Sequence, residues 1–192
     1  MPDAPARSAR MELLLDAAVH VVAESGLRGL THRAVDREAG LPEGSCSAYL
    51  RTREALVLAV TQYVAERAAD HVRDLTHELS GRALDADAAV EAVTRSVLRW
   101  VDERETLVAR LELTIQASRD PALATTIDSL RRDLVDVVAE LLTARGKPQG
   151  AAAAETLVSS FDGVLIGALA RPANQRKAFV RRSIQALMAG LG

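Results

Sequence analysis

The 192-residue chain is long enough for one large helical domain, or for a small domain joined to a medium one. Hydrophobic residues make up 48% of it but aromatic ones only 3%, so Ala, Leu and Val must fill the core, a composition that favours helices packed on helices and leaves little for a sheet. A formal charge of −2 excludes a global basic signal, the lone cysteine, Cys46, excludes an intramolecular disulfide, and no apolar run approaches the roughly 20 residues that span a bilayer.

Residues 1–10 lack the apolar segment of a secretion signal, so a soluble cytoplasmic protein with no membrane partner is expected. Over residues 11–25, Leu14, Ala17, Ala18, Val21 and Val22 recur at helical spacing and Gly26 is a natural stop. Thr31 can cap a second helix in which Val35 and Ala39 share a face, ending at Gly40. Pro42 suits the first turn of a third helix, where its missing N–H costs nothing, and residues 43–50 give that helix barely two turns. Thr52 caps a long fourth helix whose apolar residues step by threes and fours from Leu56 to Leu79, until Ser80-Gly81.

Asp85 or Asp87 opens a fifth helix with Val90, Val93, Val97 and Val101 inward, and residues 105–118 form a sixth. Asp120 followed by Pro121 is a cap and a first-turn proline, launching a seventh helix that Gly146-Lys147-Pro148 ends. Residues 151–171 are apolar almost all round, so the eighth helix wants cover on both sides. Pro172 separates it from a last helix with Phe179, Val180, Ile184, Leu187 and Met188 on one side and Arg176, Lys177, Arg181 and Arg182 on the other. The expectation is an all-α fold of about nine helices.

Three short helices in about forty residues, the second and third joined by a tight glycine-containing turn, make a helix-turn-helix. The interruption has a use: a short helix presented by such a turn can lie in the major groove while its partner crosses the backbone and holds the angle.

The residues that carry this pattern are Gly26, Leu30-Thr31, Ala34-Val35, Ala39-Gly40-Leu41, Gly44-Ser45, Tyr49-Leu50 and Thr52-Arg53-Glu54-Ala55-Leu56. In order and spacing, over roughly residues 11–63, the chain resembles the TetR-type (tetracycline-repressor-like) bacterial transcriptional regulators. RLELTIQASRDPAL and FDGVLIGAL also look like C-terminal segments of actinobacterial members. The resemblance implies a DNA-binding domain at residues 1–52 and a larger helical regulatory and dimerisation domain at 53–192. It implies that Thr31 meets a phosphate, that Arg33 reaches base edges, that Ser45, Cys46 and Ala48 occupy the exposed face of the reading helix, and that Ser47 joins them among the DNA contacts. Tyr49 is placed against the DNA backbone and Arg53 on a phosphate, with Arg7 and Arg10 as an arm toward the backbone. Two departures stand out: the family's usual tyrosine is Ser47 here, and its usual serine cap is Pro42.

The same resemblance implies a homodimer, which a palindromic operator requires in any case. Its interface is expected at Phe161, Leu165, Phe179, Ile184 and Leu187. Trp100, Arg110, Thr114, Gln116 and Phe161 combine bulk with polar tips and are the expected lining of a pocket for a small apolar or amphipathic effector. The function implied is that of a ligand-responsive repressor acting on double-stranded DNA. An adaptor that keeps the fold but has lost DNA is the alternative, because residues 1–56 carry seven arginines against eight carboxylates. Catalysis is not expected, since no nucleophile–base pair or phosphate loop is present. Neither a metal nor a cofactor is expected: the four histidines do not pair at ligand spacing and Cys-x-x-Cys does not occur.

Overall fold

A computed structural model describes residues 7–79, 86–144 and 150–190. Among these residues there are nine helices and no strand: α1 (Ala9–Gly29), α2 (His32–Glu38), α3 (Ser45–Tyr49), α4 (Arg53–Leu79), α5 (Ala86–Asp102), α6 (Arg104–Ala117), α7 (Pro121–Ala144), α8 (Gly150–Leu169) and α9 (Ala173–Gly190). The all-α expectation holds. The expected stops at Ser80-Gly81 and Gly146-Lys147-Pro148, and the alternative cap Asp85, lie outside the described residues.

Hydroxyl and carboxylate caps set four of the observed starts. Ser8 Oγ accepts the Met11 N–H at 3.3 Å, Thr31 Oγ1 that of Ala34 at 3.1 Å, and Thr52 Oγ1 that of Ala55 at 3.1 Å. Asp120 Oδ1 accepts from Ala122 and Leu123, at 3.1 and 3.2 Å, and Pro121 opens α7 behind it. Two details differ from the sequence reading. Gly26 bends α1 instead of ending it: with φ 63° and ψ 179° it joins two helical pieces, and Leu27 beyond it is buried. Pro42 lies ahead of α3, not in its first turn. Its carbonyl closes a turn onto the Ser45 N–H at 3.2 Å, and Gly44, at φ 93°, becomes the N-cap.

The chain divides into two compact units. One comprises the described residues up to Glu66 together with Glu105–Ile127. Its core joins Leu14, Leu15, Ala18 and Val22 of α1 to Leu30, to Val35 of α2 and to Cys46 of α3; α4 adds Leu56, Val60 and Val64, and α6 adds Ala109 and Leu113. The other comprises the described residues of Arg67–Arg104 and those from Asp128 onward. There α5 packs on α9 and α8, and α8 packs on α9. α5 buries Ala89, Val90, Ala92, Val93, Val97 and Val101 along one stripe, and α9 buries Val180 and Ile184. Close approach of α8 and α9 depends on Gly167, where a Cβ would come within 2.7 Å of the Phe179 ring. Arg171 covers that ring, its guanidinium carbon 3.6 Å from the centroid.

α8 corrects one expectation. Its stretch Ala152–Leu169, mean hydropathy 1.3, is long and apolar enough by composition to cross a membrane. Within it Ala154, Val158, Val164, Leu165 and Ala168, 28% of the stretch, are buried in the second unit. Two proposed interface residues are also corrected. Leu165 is 3% exposed and Ile184 0% within a single chain, so both belong to the unit's own core and offer a partner no surface. Phe161, Phe179 and Leu187 are half-buried. The reason is that α8 and α9 each have more apolar positions than one face needs, and only packing decides which of them point inward.

Candidate nucleic-acid interface

A helix of five residues is too short to hold itself in water, because too few hydrogen bonds offset the cost of nucleating it. α3 is such a helix, and α2 grips it at both ends. At its start, the Gly44 cap has no side chain to receive the free N–H groups of the first turn. The carboxylate of Asp36, on α2, takes their place: Oδ2 accepts the Gly44 N–H at 2.8 Å and Oδ1 accepts the Cys46 N–H at 2.7 Å. Asp36 is only 1% exposed. At the other end, His32 Nε2 lies 2.6 Å from the Leu50 carbonyl oxygen. A carbonyl only accepts, so the imidazole carries a proton on Nε2 and donates it there. Neither Asp36 nor His32 stands out in the sequence as functional. The available signal was a charged residue adjoining the buried face of α2, paired with a capless glycine eight positions later.

The side chains implied in DNA contact fall on both sides of this scaffold. Thr31, Arg33, Ala48, Tyr49 and Arg53 are exposed, with Tyr49 at 48%. The Arg33 side chain is 83% exposed, and its Nε lies 3.8 Å from Glu43 Oε2, itself 78% exposed. Arg53 Nη2 donates to the Leu27 carbonyl at 2.7 Å, fastening the start of α4 to the last turn of α1. Ser45 and Ser47 are half-buried, and the Ser47 hydroxyl donates to the Gly44 carbonyl at 3.0 Å.

Cys46 is the correction: expected on the reading face, it is 0% exposed and belongs to the core of the first unit. With barely more than one turn available, one α3 residue must anchor the helix inward, and the small apolar thiol suits that position best. Burial, reinforced by the nearby Asp36 charge, pushes the thiol up to about 11. It is therefore a packing residue and not a reactive thiolate. Arg7 is likewise tied down and is no free arm. It pairs with Glu66 of α4, Nη2 to Oε1 at 2.8 Å, and its guanidinium lies 5.5 Å from the centroid of the Tyr63 ring, whose hydroxyl donates to Asp16 at 2.7 Å. The Glu66 hydrogen bond holds the guanidinium above its ordinary range.

On α1, His20 links two other elements of the same unit. Its Nδ1 is 3.1 Å from Glu105 of α6 and its Nε2 3.6 Å from Glu38 of α2. The hydrogen bond to Glu105 raises the imidazole's pKa, with the charges of Glu105, Glu38 and Glu24 assisting against partial burial. His20 also borders a cleft of about 350 Å³ beside α2, whose rim includes Glu24, Arg33, Arg37 and Glu38.

None of the five proposed effector contacts lines that cleft. Trp100 and Phe161 belong to the second unit, and Arg110, Thr114 and Gln116 to the first. Trp100 packs against His71, ring centroids 5.5 Å apart, and His71 Nε2 reaches Glu103 at 3.0 Å, which also receives Arg67 at 3.0 Å. Thr114 is exposed, with its hydroxyl turned back onto the Arg110 carbonyl at 2.9 Å. Among the described residues no group of His, Cys, Asp and Glu is placed to hold a metal.

Residues 84–191 match the family model described as "Tetracyclin repressor-like, C-terminal domain". The fold is also that of several solved structures. A transcriptional regulator from Rhodococcus sp. Rha1 is 22% identical, with 96% of each chain covered and a TM-score of 0.73. A member of the TetR family from Streptomyces coelicolor A3 is 28% identical, covering 94% of this chain and 98% of that one at a TM-score of 0.72. The multidrug binding protein EbrR, complexed with imidazole, is 25% identical, covering 94% and 96% at a TM-score of 0.67. No curated protein matches. With more than half of its length under the family model, and with the helix-turn-helix arrangement at its N-terminal end, the chain belongs to the tetracycline-repressor-like family of transcriptional regulators.

Proposed function

We propose that the protein is a homodimeric repressor that binds a short palindromic DNA site and is released from it by a small apolar or amphipathic effector. Residues 1–52 form the DNA-binding head in this reading, and residues 53–192 the regulatory and dimerisation part. The observation that carries it is the two-ended grip on α3, which presents Ala48 and Tyr49 to solvent from a helix of only five residues. Arg33 reads base edges, Thr31 and Arg53 hold phosphates, and Ser45 and Ser47 border the contact.

Dimerisation draws support from α8, whose Ser159, Gly163 and Ile166 are exposed along one side, Ile166 at 51%. A helix so apolar gains by covering that side, and a two-fold partner supplies the cover. Effector binding draws support from EbrR, named as a multidrug binding protein and solved with imidazole and with ethidium. Trp100, Arg110, Thr114, Gln116 and Phe161 are the proposed contacts. To move the head from mostly competent to mostly incompetent, the effector needs about 5.5 kcal/mol of preference between the two states.

The test is a gel-shift titration on the DNA upstream of the protein's own gene. If each subunit neutralises about four phosphates, log K falls against log salt with a slope near −7, and Arg33→Ala and Tyr49→Ala weaken the complex. One observation favours the adaptor reading: over residues 1–56 seven arginines are outnumbered by eight carboxylates. A slope near zero, or no shift at low salt, selects the adaptor.

A further inference from the structure

We infer that Asp36 is the positioning residue of the reading helix, fixing its angle and so setting how sharply the protein discriminates between DNA sequences. The inference deepens the regulator reading and, for its DNA consequence, rests on it. Its basis is geometric. Asp36 is only 1% exposed, and its two oxygens are divided between the N–H groups of Gly44 and Cys46, at 2.8 and 2.7 Å. These two donors lie two residues apart at the start of α3, so a planar carboxylate that engages both fixes the helix axis as well as its position. Among the described residues Asp36 pairs with no cation, and the N–H groups alone answer its buried charge. A carboxylate held in this way is costly to misplace, which makes the angle stiff.

The phosphate and base contacts depend on Asp36 unequally. Thr31 lies at the start of α2, where its own hydroxyl caps the helix, and Arg53 is fastened to Leu27. Neither owes its place to α3. Ser47, Ala48 and Tyr49 follow directly from the two gripped amides. Loosening the grip therefore degrades the share of sequence readout that α3 supplies, while Arg33 on α2 and the charged phosphate contacts that carry non-specific affinity keep their places.

Cys46 gives a reporter that needs no DNA. It is the chain's one cysteine, 0% exposed behind α3, so an aromatic disulfide reagent labels it in the folded protein only when α3 lifts. Asp36→Ala leaves two N–H groups unanswered and Asp36→Asn keeps one acceptor oxygen. Labelling at pH 7 should run roughly tenfold to a hundredfold faster in Asp36→Ala, with an intermediate rate in Asp36→Asn, at temperatures where circular dichroism reports a folded chain. In parallel, a duplex enriched from a randomised pool by the wild-type protein is compared with the unselected pool. The affinity ratio should fall about tenfold in Asp36→Ala and less in Asp36→Asn, with affinity for the unselected pool nearly unchanged.

Equal labelling rates and an unchanged ratio in the folded variants overturn the inference. Parallel loss of both affinities overturns it as well, since that is what general destabilisation produces. If Asp36→Ala does not fold, Asp36→Asn decides in the same way. If the wild-type protein enriches no duplex, the regulator reading fails, while the labelling comparison still decides whether Asp36 holds α3.

Discussion

Replacing Gly167 by alanine sets two effects of known sign against each other. In a helix interior the exchange by itself is favourable by roughly 1 kcal/mol, because glycine loses more backbone freedom on folding. Here the new Cβ would lie 2.7 Å from Cζ and 3.0 Å from Cε1 of Phe179. The ring cannot simply swing aside while Arg171 covers it and donates to the Gly167 carbonyl. Overpacking of this kind costs about 1–3 kcal/mol, so the net change is a loss of about 0–2 kcal/mol. Near the middle of that range, Tm falls by roughly 2–4 °C for a chain of this size. Urea and thermal unfolding at fixed protein concentration measure it. Phe179→Leu in the same background should restore most of the loss, giving a double-mutant coupling of about 1 kcal/mol. A Gly167→Ala protein more stable than wild type by the full propensity difference would refute the packing of α8 on α9 described above.

Three further outcomes are expected. Because folded His20 holds its proton more tightly than the unfolded chain does, its contribution is fully present below the ordinary value of 6.5 and is lost as pH rises through the folded value; the urea midpoint of wild type relative to His20→Gln should therefore fall from about pH 6 to about pH 8. A rising difference would contradict the Glu105 contact. Ile184→Ala should cost about 2–5 kcal/mol of unfolding free energy, since the residue is wholly buried in one chain, whereas Ile166→Glu should leave the fold intact and shift sedimentation toward monomer. Glu43→Gln should tighten DNA binding several-fold at low salt by freeing Arg33 from a competing carboxylate, with the gain fading at about 0.5 M salt; equal gain at both salts would exclude the electrostatic cause.

Local rules made the helices legible. Thr31, Thr52 and the Asp120-Pro121 pair each cap where the sequence places them, since a cap is a contact between near neighbours. The start of α3 was not legible in that way, because its cap comes from another helix: Pro42 looks like a first-turn residue until Asp36 is seen to reach Gly44. Cys46 shows the limit of periodicity. Five residues cannot define a face, so its inward direction follows from burial in the core that also holds Val35 and Leu56. Leu165 and Ile184 show the same limit on richer helices, where inward and partner-facing apolar residues look alike in sequence. The roles of His20 and Arg7 depend on Glu105 and Glu66, carboxylates far along the chain that no local pattern links to them.

The grip on α3 also bears on how such a protein changes its target. Asp36 and His32 hold the main chain, at Gly44, Cys46 and Leu50, and none of the three bonds uses the side chain of Ala48 or Tyr49. Vocabulary and grammar are thus kept apart: the outward residues can be exchanged, and a new operator acquired, without renegotiating the fastening that keeps them legible to DNA.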